Sequence, residues 1–155
     1  MTATGRAEMF YEDINPGQEI VSRSRVITAA DVEVFTSLTW AANPLFLSDA
    51  SARERGFPAR VVPAALIISF VIGLLYQTGL FDHITALVGV DRLSMKAPSH
   101  PGDVISVRCR VLEKRETKSP DRGFVKFFIE CLNSTRNAVV MEAEMSFLYL
   151  RKNSR

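Results

Sequence analysis

Between Arg60 and Asp82 the chain carries no charged residue, and residues 61–81 read VVPAALIISFVIGLLYQTGLF. Apolar side chains fall on every side of a helical wheel there, the pattern of a helix buried all round or of a membrane span. A span needs about 20 predominantly apolar residues. The strongly apolar part ends sooner, at Tyr76, where Gln77, Thr78 and Gly79 follow. The reading is therefore a buried central helix over residues 61–81 and no membrane, and everything else in the fold must be arranged to cover it.

Candidate cover lies on the C-terminal side, where the apolar period changes from 3.6 to 2. In residues 104–111, Ile105, Val107, Cys109 and Val111 alternate with Ser106, Arg108 and Arg110. Val125, Phe127, Ile129 and Cys131 alternate in the same way with Lys126 and Glu130. A third run sets Met141, Ala143, Met145, Phe147 and Tyr149 against Glu142, Glu144 and Ser146. Each reads as a strand with one dry face. Residues 119–123 and 133–137 are short enough for hairpins. An earlier strand is expected over residues 85–97, ending at a turn over 98–102, and a first strand over 18–27 after the turn Asn15-Pro16-Gly17. Between them, Thr28 and Asp31 mark a helix start. Val32, Phe35 and Leu38 give that helix a buried face, and it ends at Thr39-Trp40 before Asn43-Pro44. Ser48 caps a short helix ending at Gly56, and Pro63 suits the first turn of the central helix. The expected architecture is α+β, one domain over residues 1–155, with an antiparallel sheet of five or more strands wrapped around the central helix.

Composition narrows the function classes. With 19 basic and 17 acidic residues the net charge is +2, and the basic residues are scattered, which argues against a nucleic-acid partner. Cys109 and Cys131 both sit at inward positions and read as free buried thiols. No Cys/His cluster has metal-ligand spacing, so neither a metal nor another cofactor is expected. The first residues, MTATGRAEMFYED, lack the apolar core of a signal peptide, and a cytoplasmic location is expected.

Several local patterns, in order, resemble one family. Phe10-Tyr11-Glu12-Asp13 with Pro16-Gly17-Gln18-Glu19 opens the series. Ile27-Thr28, Asp31-Val32, Asn43-Pro44-Leu45, Ala97-Pro98, Pro101-Gly102-Asp103 and Glu113-Lys114-Arg115-Glu116 continue it. Together they resemble the MaoC-like hydratase/dehydratase domain, the family that includes (R)-specific enoyl-CoA hydratases. The resemblance covers Phe10 to about Leu150. It implies a hotdog fold, an acyl-CoA or other acyl-thioester ligand, and a homodimer or a heterodimer with an active homologue.

At the site the chain departs from that family. The family's catalytic turn reads Gly-Asp-x-Asn-Pro-Leu-His, and its Asp and His handle the water and proton of hydration. Here the turn is Trp40-Ala41-Ala42-Asn43-Pro44-Leu45-Phe46, so Ala41 replaces the Asp and Phe46 the His. Neither can move a proton, and acid–base catalysis contributes typically about 10²- to 10⁴-fold. At the start of the central helix the family commonly has Ala-His-Gly, with amides that polarise the thioester carbonyl. This chain has Val62-Pro63-Ala64, and amides at Ala64 and Ala65 could keep that role in part. The resemblance thus implies a substrate site at Ala41, Asn43, Pro44, Phe46, Ala64 and Ala65, with no catalytic residue assigned. An enzyme with relocated catalytic groups stays open as the alternative. Asp31, Asp49, His83 and His100 are the groups to inspect for it, with helix-end or structural roles the simpler expectation for each.

Overall fold

The computed structural model describes residues 8–153. Its strands are β1 (Glu19–Val21), β2 (Arg25–Val26), β3 (Ile84–Met95), β4 (Val104–Glu116), β5 (Arg122–Asn133) and β6 (Ala138–Leu150). Its helices are α1 (Ala29–Thr39), α2 (Pro44–Leu47), α3 (Asp49–Glu54) and α4 (Ala64–Tyr76). The strands form one sheet in the order β1-β4-β5-β6-β3, with β2 also pairing β4, and every pair is antiparallel. This is the α+β hotdog arrangement expected, with α4 as its filling.

The period-2 pattern decides which face of the sheet is dry. Ile105, Val107, Cys109 and Val111 of β4, Val125 to Cys131 at alternate positions of β5, and Met141, Ala143, Met145, Phe147 and Tyr149 of β6 are all buried. They share one core with Leu66, Ile67, Phe70, Val71, Leu74 and Leu75 of α4. Cys109, Cys131, Met145 and Phe147 all lie in that core, and burial pushes both thiols up, Cys131 to about 12. The rings of Phe81, Phe127 and Phe147 meet at centroid separations of 4.5–6.1 Å. The opposite face carries ion pairs such as Arg108–Glu130 at 2.7 Å and Lys126–Glu144 at 3.3 Å.

Four expectations need correction. The uncharged stretch is not one helix: α4 ends at Tyr76, because Thr78 Oγ1 donates to the Leu75 carbonyl at 2.6 Å and Gly79 takes φ 86°. Nor is α4 buried all round, since Ala64, Ala65, Ser69, Gly73 and Tyr76 are exposed along one side that the sheet does not reach. The first strand breaks into β1 and β2 because Ser22 takes over the pairing: its amide donates to the Val107 carbonyl and its hydroxyl accepts from the Val107 amide, both near 2.9 Å. On α1 the buried positions are Val32 and Thr36, while Leu38 is 79% exposed, so the dry face turns away from the end of the helix.

Turn residues fix the joins. A side chain on Gly123 would put its Cβ 2.1 Å from the Tyr11 ring, so the start of β5 requires glycine. Among the described residues no helix is long and apolar enough to cross a membrane.

Candidate functional site

A cavity of about 390 Å³ lies where the catalytic-turn segment, the head of α4 and the end of β3 meet. Asn43 caps α2, its Oδ1 accepting from the Leu45 amide at 2.9 Å, and Pro44 occupies the first turn, where no amide donor is missed. This short helix, which reads in the sequence only as a turn, delivers Phe46 into the cavity wall. The Val61 amide donates to Leu45 and the Val62 amide to Ser99, each at or under 3.0 Å, tying the turn and the 98–103 loop to the approach to α4. Phe57, Val62, Ala64, Ile67, Met95 and Val140 are among the apolar residues that line it. Only Lys96 and Ser99 bring polar side chains to it, and the Lys96 ammonium is 3.6 Å from Glu142.

Of the six residues expected at the site, Phe46 and Ala64 line this cavity. Ala41, Asn43, Pro44 and Ala65 do not; all four are exposed, and Asn43 and Pro44 build the helix that presents Phe46. Pro63 is the N-cap of α4 and makes no side-chain cap, while the Leu66 amide turns back to the Pro63 carbonyl at 3.0 Å. Trp40 lines no described cavity: it ends α1 at φ 61° and is 91% exposed. A larger, open groove of about 540 Å³ runs along the exposed side of α4, past Arg25, Ser69, Phe70 and Gly73. It contains none of the catalytic-turn residues and is a surface feature of the single chain.

The other titratable candidates have structural partners. Asp31 completes a capping box with Thr28 and binds Arg25 at 2.8 Å. Burial opposes its charge, but the Thr28 and Arg25 hydrogen bonds outweigh this and hold its carboxyl below the ordinary value. Asp49 accepts the Arg60 amide at 2.9 Å. His83 stacks on Phe10 at 3.6 Å and faces Glu8. His100 is buried, with Nδ1 2.9 Å from the Arg60 carbonyl, which makes Nδ1 the donor, and it is not part of the cavity wall.

Sequence reasoning gave no role to the polar knot behind that wall. Asp103 Oδ2 accepts from the His100 amide at 2.9 Å, Arg136 Nε at 2.7 Å and Asn133 Nδ2 at 2.8 Å. Burial raises the Asp103 carboxyl, and these three donors more than reverse it, leaving it below its ordinary value. Locally, Pro101-Gly102-Asp103 reads only as a turn and a family mark. Its partners Asn133 and Arg136 lie 30 and 33 residues away. Among the described residues no group of three or more His, Cys, Asp or Glu could hold a metal ion.

Comparison with known proteins agrees with this architecture. The model of the MaoC like domain matches residues 13–126. Protein MaoC of Klebsiella aerogenes is 31% identical over 114 residues, covering 74% of this chain but 33% of that protein, so the chain spans about a third of its length. The (R)-specific enoyl-CoA hydratase of Rhodospirillum rubrum is 25% identical over 139 residues, 90% of each chain. A solved Mycobacterium tuberculosis protein with a double hotdog fold superposes with a TM-score of 0.80 at 17% identity, over 96% of this chain and 46% of that one, a likeness of fold alone.

Proposed function

Starting from a chain that belongs to the MaoC-like domain family of hydratases and dehydratases, we propose that it binds an acyl thioester, with the acyl group in the cavity at the head of α4, and does not carry out the standard hydration. The observation that carries this is the cavity wall itself. Phe46 stands in it at the position where the family resemblance places a histidine, and no Asp, Glu or His side chain lines it. An apolar pocket with few polar groups is the usual form of a small-molecule site. The start of a 13-residue helix with no side-chain cap offers the positive pole that a thioester carbonyl would use. Binding keeps its supports here, and proton transfer does not.

The reading includes a second copy, or an active homologue, placed against β3. This strand is one edge of the sheet, and an edge with unpaired backbone groups is a template for pairing. Leu87, Val88, Val90, Leu93 and Met95 along it are 41–55% exposed.

Calorimetric titration with crotonyl-CoA tests the binding half. The expected result is saturable binding in the wild type and at least a roughly tenfold loss in Ala64→Phe, whose added ring fills the cavity from an exposed position. Absence of saturable binding to the wild type would contradict the reading.

A further inference from the structure

The cavity wall that carries Phe46 and Phe57 is attached to the molecule differently from the rest. Residues 43–58, which hold α2 and α3, bury one side chain fully, that of Ala52. The walls opposite stand on the core, where Val62, Ile67 and Val140 are 1–4% exposed. Left-handed backbone lies just before the segment, at Trp40 with φ 61°, and close to its end, at Gly56 with φ 87°. Inside it the hydrogen bonds are local: the Ser48 amide donates to Pro44, the Ala52 amide to Ser48 and the Phe57 amide to Ala52, at 2.9–3.0 Å. Among the described residues, the hydrogen bonds that tie it to the rest of the chain all end on Arg60 and Val61. The Val61 amide donates to the Leu45 carbonyl at 3.0 Å, the Arg60 amide donates to Asp49 Oδ1 at 2.9 Å, and Arg60 Nε lies 3.9 Å from the same oxygen. Arg60 is itself anchored, its Nη1 3.2 Å from Glu33 of α1 and its carbonyl accepting from His100 Nδ1 at 2.9 Å. A segment with so few buried contacts and a single row of ties opens at lower free energy than the core it lies on.

We propose that residues 43–58 form a strap that swings away from the head of α4 to open the cavity, with the Asp49 carboxylate on Arg60 as its latch. The inference rests on the acyl-thioester reading above and adds how that site is entered. Opening carries Phe46 and Phe57, the aromatic part of the wall, away together and leaves α4 on the sheet. Trp40 and Gly56 sit where a hinge belongs, at the ends of elements rather than inside them.

Amide hydrogen exchange, followed residue by residue by NMR, tests this. In the free wild type the Ser48, Ala52, Phe57, Arg60 and Val61 amides should exchange at similar protection, at least about 100-fold faster than Phe127 and Ile129 of β5. Asp49→Ala should speed all five by roughly tenfold, the size of one hydrogen bond to a charged group, and leave β5 unchanged. The Val61 amide bonds Leu45 rather than Asp49, so its acceleration reads movement of the whole strap. Asp49→Asn, which keeps the acceptor oxygen, should speed them less, and saturating crotonyl-CoA should slow the same five. Strap amides as protected as β5, or an Asp49→Ala effect confined to Arg60, would overturn the inference and leave the acyl reading intact. Crotonyl-CoA that binds by calorimetry without slowing these amides would do the same. No binding at all would instead remove the acyl reading and this inference with it. Should Asp49→Ala fail to fold, the wild type with and without ligand decides alone.

Discussion

β3 and β5 are both 12 residues long and both pair with β6, yet they solve opposite problems. In β5 every second residue is buried and the rest are half-buried, with β4 and β6 on its two sides and α4 across its inner face. β3 has no buried residue, three irregularities in its pairing and a left-handed residue, Arg92 at φ 50°. Side-chain chemistry does not explain the difference, since β3 is itself rich in Leu and Val. Neighbours do: an apolar strand in the middle of a sheet finds cover within its own chain, and one at the edge does not. β5 therefore serves folding, while the apolar side chains of β3 stay uncovered in the single chain.

The sharpest way to break this contrast is to empty the β5 side. Phe127 is fully buried and touches Phe81, Phe147 and Tyr149, so Phe127→Ala should lower unfolding free energy by about 3–5 kcal/mol, measured by urea denaturation. A loss under about 1 kcal/mol would mean that β5 is not the core strand described.

A smaller effect is expected where β5 ends, at Asn133 and its Asp103 partner. Asp103→Asn removes the charge that three donors converge on and should cost about 2 kcal/mol at neutral pH. Because the folded-state carboxyl lies below its ordinary 3.8, the charged form stabilises the fold above that value. That contribution is lost as pH falls through the folded pKa. The gap between wild type and Asp103→Asn should hold steady from pH 7 to about 5 and close in stronger acid. A gap that widened on acidification would contradict the assignment.

Least costly to folding should be a change on β3. Val88→Lys places a charge on a side chain that is 55% exposed and should shift stability by about 0.5 kcal/mol or less. Light scattering should nevertheless show a dimer for the wild type at micromolar concentration and a monomer for the variant. A monomeric wild type would mean that β3 is merely an edge.

The same contrast marks what could be read in the sequence. Strands β4, β5 and β6 were legible because their alternation is a local property, and two faces with different neighbours imprint it residue by residue. β3 carries no such imprint, since Leu87 and Val88 are adjacent and both exposed. The sequence located it from its flanking turns instead. The end of α4 was overrun because the uncharged stretch continues through Leu80 and Phe81, which are buried after the helix has ended. Their burial comes from the aromatic cluster under the sheet, a tertiary contact that no helical period reports. Phe46 and Ala64, which the family resemblance singles out, both line the cavity at the head of α4. Asp103 carries no local sign of its polar knot, because its partners Asn133 and Arg136 lie 30 and 33 residues further along.

Hydration of crotonyl-CoA, followed by loss of the enoyl thioester absorbance, tests the central claim that this cavity binds acyl groups without the proton pair. The wild type should show no turnover at concentrations where the titration saturates, and Ala41→Asp combined with Phe46→His should gain measurable hydration, more than either change alone. Wild-type turnover at an ordinary enzyme rate, on the order of 1 to 10³ per second, would contradict it.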